Sequence, residues 1–378
     1  MRIGMMLRAY DENGGIGVYT RNLVAELLRL DRKNHYVLFY RQPDHLGRFR
    51  NYLNVTECVV PGANQVVWDQ VAVPYYCWRQ QVDVVFHSKF TAPLLAPCRA
   101  VMVVHGADWL VPEQAQYYPR ANVLLMRAMM PLYFRKCAVV ISVSQLTTHN
   151  FQQALRLPPG KIRTIYFGPA RHFRPITDLA ALSQVRARYH LPDRFILHLT
   201  KRGGAGRKNL GQVFKAYALY HSRAQSPHKL VVGGQDCHAF RAEFGLPVDG
   251  FGRDILFPGW IAQEDLPAVY TLADLYLYPS NLEAFPIPIT EAMACGTPVV
   301  TSRVNGLQEI AGEAALLVNP GDAEQIAEAI ERVLSEAELR AALSAKGRER
   351  ASLFTWDRCA REILALLNGL APQDASGC

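Results

Sequence analysis

YPSNLEAFPIPITEAMACGTPVV, residues 278–300, decides how this chain is built. The residues that lead into it, Leu275–Tyr278, are apolar and aromatic, the profile of a short buried strand. A stiff loop follows, in which Pro286 and Pro288 fix φ and remove two backbone donors. A helix is expected over 289–295, ending at Gly296, and Pro298–Thr301 reads as the next strand. Strand, loop, helix and strand in such close succession form a βαβ unit. Units of this kind build parallel sheets with helices on both faces.

The same alternation runs outward in both directions. Upstream, strands are expected at Ile3–Leu7, His35–Tyr40, Val82–Phe86, Val101–Val104 and Val139–Val143, with helices at Val18–Leu30, Val123–Arg135 and Thr147–Leu155. In the second half they are expected at Phe195–Leu199, Lys229–Val232, Ile255–Phe257 and Ala315–Val318, with helices at 209–224, 264–273 and 322–334. Periodicity fades in IYFGPARHFRP, residues 165–175, and the domain boundary is placed there. The expected division is an N-terminal domain 1–168, a second domain 169–354, and a closing segment 355–378 with one helix and a flexible tail. The fold class is α/β: two Rossmann-like, doubly wound domains, with a ligand cleft at the carboxyl ends of their strands.

Composition excludes several classes. Half of the 378 residues are hydrophobic and a fifth are charged, so a folded globular protein is expected. No apolar run approaches the roughly 20 residues that span a bilayer. The opening MRIGMMLRAY reads as a first strand rather than a leader peptide. Cysteines stand singly at 58, 77, 98, 137, 237, 295, 359 and 378, without a C-x-x-C pair. That pattern opposes zinc sites and disulfides and points to a reducing cytoplasm.

The charge is lopsided. Residues 1–168 hold 19 Lys and Arg against 10 Asp and Glu, while 169–378 hold 22 against 23. The excess is sharpest in RANVLLMRAMMPLYFRKC, where Arg120, Arg127, Arg135 and Lys136 interleave with leucines, methionines and Phe134. A basic amphipathic helix suits the inner face of a membrane, and a core helix with solvated charges fits the pattern as well. Nucleic acid is not expected as a partner, because no binding module accompanies the charge.

Three stretches carry chemistry. In DENGGIGVYTRNL, Gly14, Gly15 and Gly17 stand between a strand and a helix, where backbone comes close to a ligand and free amides meet an anion. The order G-G-x-G departs from the G-x-G-x-x-G dinucleotide fingerprint, and Asp31 falls in a polar turn. In LTKRGGAGRKNL, Arg202 and Lys208 flank a glycine-rich turn after a strand, with Arg207 beside them, an arrangement that suits a diphosphate. In the opening stretch, Glu283 lies in the loop and Glu291 on the helix, so two carboxylates face two sets of sugar hydroxyls. Amides at that helix start are expected to meet phosphate. His105, leaving the strand Val101–Val104 with Gly106 and Asp108 after it, is a further candidate at the edge of the site.

Taken together, these motifs resemble the retaining glycosyltransferases of family four, which have the two-domain GT-B architecture. The resemblance runs through VVWDQVAVP (66–74), DVVFHSKF (83–90), VVHGADW (103–109), ISVSQLT (141–147), GRKNL (206–210) and FPGWI (257–261), and ends on the Glu-x7-Glu motif of Glu283 and Glu291. It implies a nucleotide-sugar donor. Gly15 and Gly17 would face its diphosphate, Arg202 and Lys208 would bind it, His105 would sit by the transferred sugar, Glu283 would hold sugar hydroxyls and Glu291 the ribose. Phe285 and Ile287 count with the donor-binding set. The tail helix resembles the segment that crosses back to the N-terminal domain. One departure stands out: the family commonly has Glu-Gly-Phe-Gly where this chain has Glu283-Ala284-Phe285-Pro286, and Pro286 cannot donate an N–H.

The expected reaction is transfer of a hexose from a UDP- or GDP-linked sugar to a hydroxyl of a saccharide or lipid-linked acceptor, with retention, in cell-surface polysaccharide or glycolipid synthesis. The chain has no D-x-D sequence, so neither a metal nor a separate cofactor is expected. Three rivals remain: a nucleotide-sugar epimerase on the same architecture, a nicotinamide oxidoreductase, and a non-catalytic scaffold of a glycan assembly.

Overall fold

A computed structural model describes residues 1–371 apart from 13, 108, 117 and 225–226, and apart from the side chains of 113, 114 and 305. The chain forms two compact units, Met1–Phe167 joined by the segment from Trp356 onward, and Gly168–Thr355.

The first unit holds a parallel sheet of β1 (Arg2–Met6), β2 (His35–Tyr40), β3 (Val55–Val59), β4 (Val84–His87), β5 (Arg99–Val104), β6 (Cys137–Ser142) and β7 (Ile162–Thr164), in the order β3-β2-β1-β4-β5-β6-β7. The strand expected at Val82–Phe86 is β4, shifted towards His87, because its register is set by pairing Val84–His87 with Ile3–Met6. Neither β3 nor β7 was expected: the first is half-buried throughout and the second has only three residues, so neither shows a clear period.

The second unit repeats the plan with β8 (Phe195–Leu199), β9 (Lys229–Gly233), β10 (Ile255–Leu256), β11 (Leu275–Tyr278), β12 (Val299–Ser302) and β13 (Leu316–Val318), in the order β10-β9-β8-β11-β12-β13. Its strands are buried on both faces. Phe195, Leu197, Tyr276, Tyr278 and Val299 enter one core, whereas Ile196, Leu275, Leu277 and Val300 enter the other. That period of two is what a pleated strand imposes, and burial on both faces is why these strands read as unbroken apolar runs.

Both sheets reverse direction at their centre. After β1 the chain adds β2 and β3 on one side and then returns to β4 on the other, and β8 stands in the same relation to β9, β10 and β11. Loops leaving the carboxyl ends of two such neighbours diverge to opposite faces and open a crevice where ligands bind. In the first unit the crevice lies beyond β1 and β4, in the second beyond β8 and β11.

The helix Trp356–Asn368 belongs to the first unit and packs on Gly15–Leu30: the Trp356 ring meets Tyr19 at 5.3 Å and Arg29 pairs with Asp357 at 2.5 Å. The tail beyond residue 371 lies outside the described residues.

Candidate functional site

In the second unit the crevice is lined by the loops that follow β8 and β11, and hydrogen bonds sew these loops together. The Arg207 carbonyl accepts from Asn281 N–H (2.9 Å) and from Ser280 Oγ (3.0 Å), while Asn209 Nδ2 donates to the Pro279 carbonyl (3.0 Å). Asn209 adopts a left-handed φ of 62°, a conformation that asparagine tolerates better than most residues.

This framework aims Lys208 inward. Its Nζ donates to the Leu199 carbonyl at 3.3 Å and lies 5.3 Å from the centre of the Tyr278 ring. Burial disfavours the ammonium and lowers its pKa to about 8, and the carboxylates of Glu283 and Glu291 oppose that shift.

Glu283 is held at both oxygens. Oε1 accepts from the Tyr278 hydroxyl at 2.7 Å, and Oε2 pairs with Arg207 Nη1 at 2.9 Å. Its carbonyl also accepts from Gly306 N–H at 2.9 Å. A Cβ at Gly306 would sit 2.2 Å from the Ala284 carbonyl oxygen, so only glycine permits this approach. Glu291 lies on the helix Ile287–Ala294, is 5% exposed, and accepts from the Tyr270 hydroxyl at 3.2 Å. Burial raises its pKa to about 7 against the pull of Tyr270, Gln263 and Lys208. A half-buried lysine that feels two carboxylates, at a switch point, suits a charged and hydroxyl-rich molecule.

Some expectations shift. The amides that open the helix Ile287–Ala294 are not free for phosphate: Ile287 N–H donates to the Phe285 carbonyl, Ile289 N–H donates to the Pro286 carbonyl, and Pro288 has none. Arg202 does not join the cluster; it lies in the one-turn helix Arg202–Gly204, more than half exposed, and its guanidinium is tied to Glu243. Phe285 and Ile287 are buried, and the Phe285 ring packs edge-on against Phe354 at 5.8 Å. Tyr278, Tyr270 and Gly306 were missed, and Arg207, noted from sequence beside Lys208, turns out to be the partner of Glu283.

In the first unit Gly15 opens the helix Gly15–Leu30, whose N-terminus has no side-chain cap and no acidic residue in its first turn. A Cβ at Gly17 would fall 1.9 Å from the Glu12 carbonyl oxygen. Thr20 on this helix donates to the Ile16 carbonyl (2.8 Å) and meets Ser88 Oγ (2.7 Å); the Ser88 carbonyl accepts from His105 Nε2 at 2.7 Å. The glycine turn and His105 are therefore joined through Thr20 and Ser88. Burial lowers the His105 pKa to about 4. Asp108 lies outside the described residues. Asp31 is taken up locally: it accepts from Asn34 Nδ2 at 2.6 Å and from the Tyr36 hydroxyl at 2.8 Å. Burial alone would raise its pKa, but these hydrogen bonds outweigh burial and lower it.

Comparison with known proteins agrees with this geometry. Residues 13–168 match the family model described as Glycosyltransferase Family 4, and residues 190–350 match Glycosyl transferases group 1. The chain belongs to the family-four glycosyltransferases. Across 269 residues, 70% of this glycosyltransferase and 69% of the relative, it is 27% identical to O-antigen chain mannosyltransferase B of Escherichia coli. It is 26% identical over 228 residues to the serotype-specific mannosyltransferase WbdA of the same organism, covering 59% of this chain but 28% of that protein. HepE of Anabaena, solved with UDP and glucose, shares the fold with a TM-score of 0.74 at 20% identity, over 98% of this glycosyltransferase and 100% of HepE. The two parallel sheets with alternating helices are those of the GT-B architecture.

Proposed function

We propose that this glycosyltransferase moves a hexose from a UDP- or GDP-linked sugar to a hydroxyl of a saccharide or lipid-linked acceptor, in cell-surface polysaccharide or glycolipid synthesis. The observation that carries the reading is Lys208, half-buried beyond the β8–β11 switch point and within the electrostatic reach of Glu283 and Glu291. Lys208 offsets the charge that grows on the departing diphosphate, Glu283 accepts from sugar hydroxyls, and Glu291 accepts from the ribose. Arg202 joins the diphosphate by exchanging Glu243 for it. Gly15 and Gly17 offer backbone amides, and His105 accepts from the sugar. The O-antigen mannosyltransferase relatives support the polysaccharide setting, and the UDP in HepE supports a nucleotide donor.

The anomeric configuration is retained. The acceptor oxygen forms its bond to the anomeric carbon on the face that the diphosphate leaves; the bond to the β-phosphate oxygen breaks, and that oxygen takes the acceptor proton. No protein nucleophile enters. The chemistry is independent of a divalent cation, a reading supported by a sequence without D-x-D and by the positive charge that Lys208 supplies in the loop after β8.

The deciding experiment incubates the protein with UDP-hexose and GDP-hexose, EDTA and a panel of glycan acceptors. A glycosylated product of unchanged anomeric configuration is expected. Conversion of the donor sugar without acceptor would show an epimerase instead, and absence of turnover with every donor would leave a scaffold.

A further inference from the structure

We propose that the outer faces of two helices in the first unit form a docking surface for an anionic lipid bilayer. The first is a continuous helical stretch made of Gln65–Val67, a π-helical turn Trp68–Ala72, and Val73–Arg79. Its inner side is spoken for: Trp68, Val73 and Cys77 are fully buried in the core. The outer side is apolar too. Val71, Tyr75 and Trp78 stand 60%, 52% and 66% exposed, at positions that share one helical face. A surface helix normally presents polar groups there, so this stripe needs an apolar neighbour.

The second helix is Arg120–Lys136. Met130, Tyr133 and Phe134 face the same core as Trp68, while Leu124, Leu125 and Leu132 are exposed. One face of this helix is therefore core, and the other is exposed. The two helices are neighbours on one side of the sheet. Gln70 is bonded to Ala92 and Leu94, Lys136 Nζ donates to the Ala96 carbonyl at 2.6 Å, and Leu95 between them is exposed.

Charge identifies the occupant. The two helices carry Arg79, Arg120, Arg127, Arg135 and Lys136, and their one carboxylate, Asp69, is buried against Arg8 at 3.2 Å. A two-fold contact between copies would lay this cationic face against itself, at the expense of repulsion. An anionic bilayer meets both features: leucines and the indole enter the headgroup boundary while arginines remain among the phosphates. The inference does not depend on the donor chemistry.

The test is co-sedimentation of the full chain with vesicles of phosphatidylcholine alone or mixed with phosphatidylglycerol. The protein should pellet with the mixed vesicles only, and added salt should release it. Replacing Arg127 and Arg135 by Gln should weaken binding about fivefold for each cation. The pairs Tyr75→Gln with Trp78→Gln, and Leu124→Gln with Leu125→Gln, should abolish binding while a UDP or GDP thermal shift is unchanged, which controls for folding. Wild-type protein that stays in solution with mixed vesicles overturns the proposal. Variants that pellet like wild type overturn it as well. So does a dimer in sedimentation equilibrium that Trp78→Gln disperses, since that assigns the face to a second copy.

Discussion

Lys208 Nζ lies 5.3 Å over the ring of Tyr278, and the hydroxyl of that same ring donates to Glu283 at 2.7 Å. One side chain thus touches the proposed diphosphate cation and the proposed sugar carboxylate, and its two contacts can be removed separately. Tyr278→Phe keeps the ring beneath Lys208 and deletes only the hydroxyl. A hydrogen bond to a charged group contributes about 1.5–3 kcal/mol, so kcat/KM for the sugar donor should fall about 10- to 100-fold, with affinity for UDP or GDP unchanged. Tyr278→Leu should weaken nucleotide binding in addition. Equal behaviour of the two variants in titration calorimetry and initial-rate assays would disprove this division of roles.

The two shifted pKa values predict a bell-shaped pH dependence of donor binding. Diphosphate affinity requires Lys208 protonated, so it should decline as pH rises through about 8. Ribose recognition requires Glu291 ionised, so affinity should climb as pH rises through about 7. Glu291→Gln should remove the acid limb alone and Lys208→Met the alkaline limb alone. The linked stability effects of the unliganded protein have definite signs. Lys208 is lowered from 10.5, so between about 8 and 10.5 the unfolded chain holds more protons and stability rises with pH. Glu291 is raised from 4.5, so between 4.5 and about 7 the folded chain holds more protons and stability falls as pH rises. Calorimetric titration with an intact nucleotide sugar, whose diphosphate does not ionise near neutrality, reads the binding limbs directly.

Gly306 sits outside the motif yet supports it. A Cβ there would fall 2.2 Å from the Ala284 carbonyl oxygen and 2.7 Å from that of Glu283, both backbone atoms that cannot swing aside. Gly306→Ala should therefore displace the loop that carries Glu283. Displacements near 1 Å cost on the order of 100-fold in rate, so kcat/KM should drop to that extent while UDP or GDP still binds. A variant with wild-type turnover would mean that the loop relaxes without moving Glu283.

The parts of this molecule that are readable from sequence are those written in one local stretch. The buried strands announce themselves because both faces of FILHL and LYLY demand apolar or aromatic residues. Helix Ala337–Ser352 does not: only Leu343, Gly347 and Ala351 are buried along it, too few to impose a period. The site divides in the same way. Lys208, Glu283 and Glu291 are legible from their spacing, whereas Tyr278 and Gly306 act through contacts between loops that are distant in sequence. The stripe of Val71, Tyr75 and Trp78 was hidden for a different reason. Apolar residues on both sides of a helix read as core, and only the fold shows that one side is exposed among the described residues.

His105 gives the last test. The Ser88 carbonyl has no proton to give, so the 2.7 Å contact requires the proton on His105 Nε2 and leaves Nδ1 as an acceptor. With burial holding its pKa near 4, the ring is neutral wherever the enzyme is folded and working. His105 should then serve as a hydrogen-bond acceptor for a sugar hydroxyl and contribute no limb to the rate profile above pH of about 5. His105→Gln should lower kcat/KM about tenfold, the worth of one hydrogen bond, and leave the limbs near 7 and 8 in place. Thr20→Val breaks the link from the glycine turn to Ser88 and should reproduce part of that loss, because Ser88 is then free to shift. If His105→Gln instead abolishes a limb of the kcat/KM profile, the imidazole is moving a proton and the acceptor role is wrong.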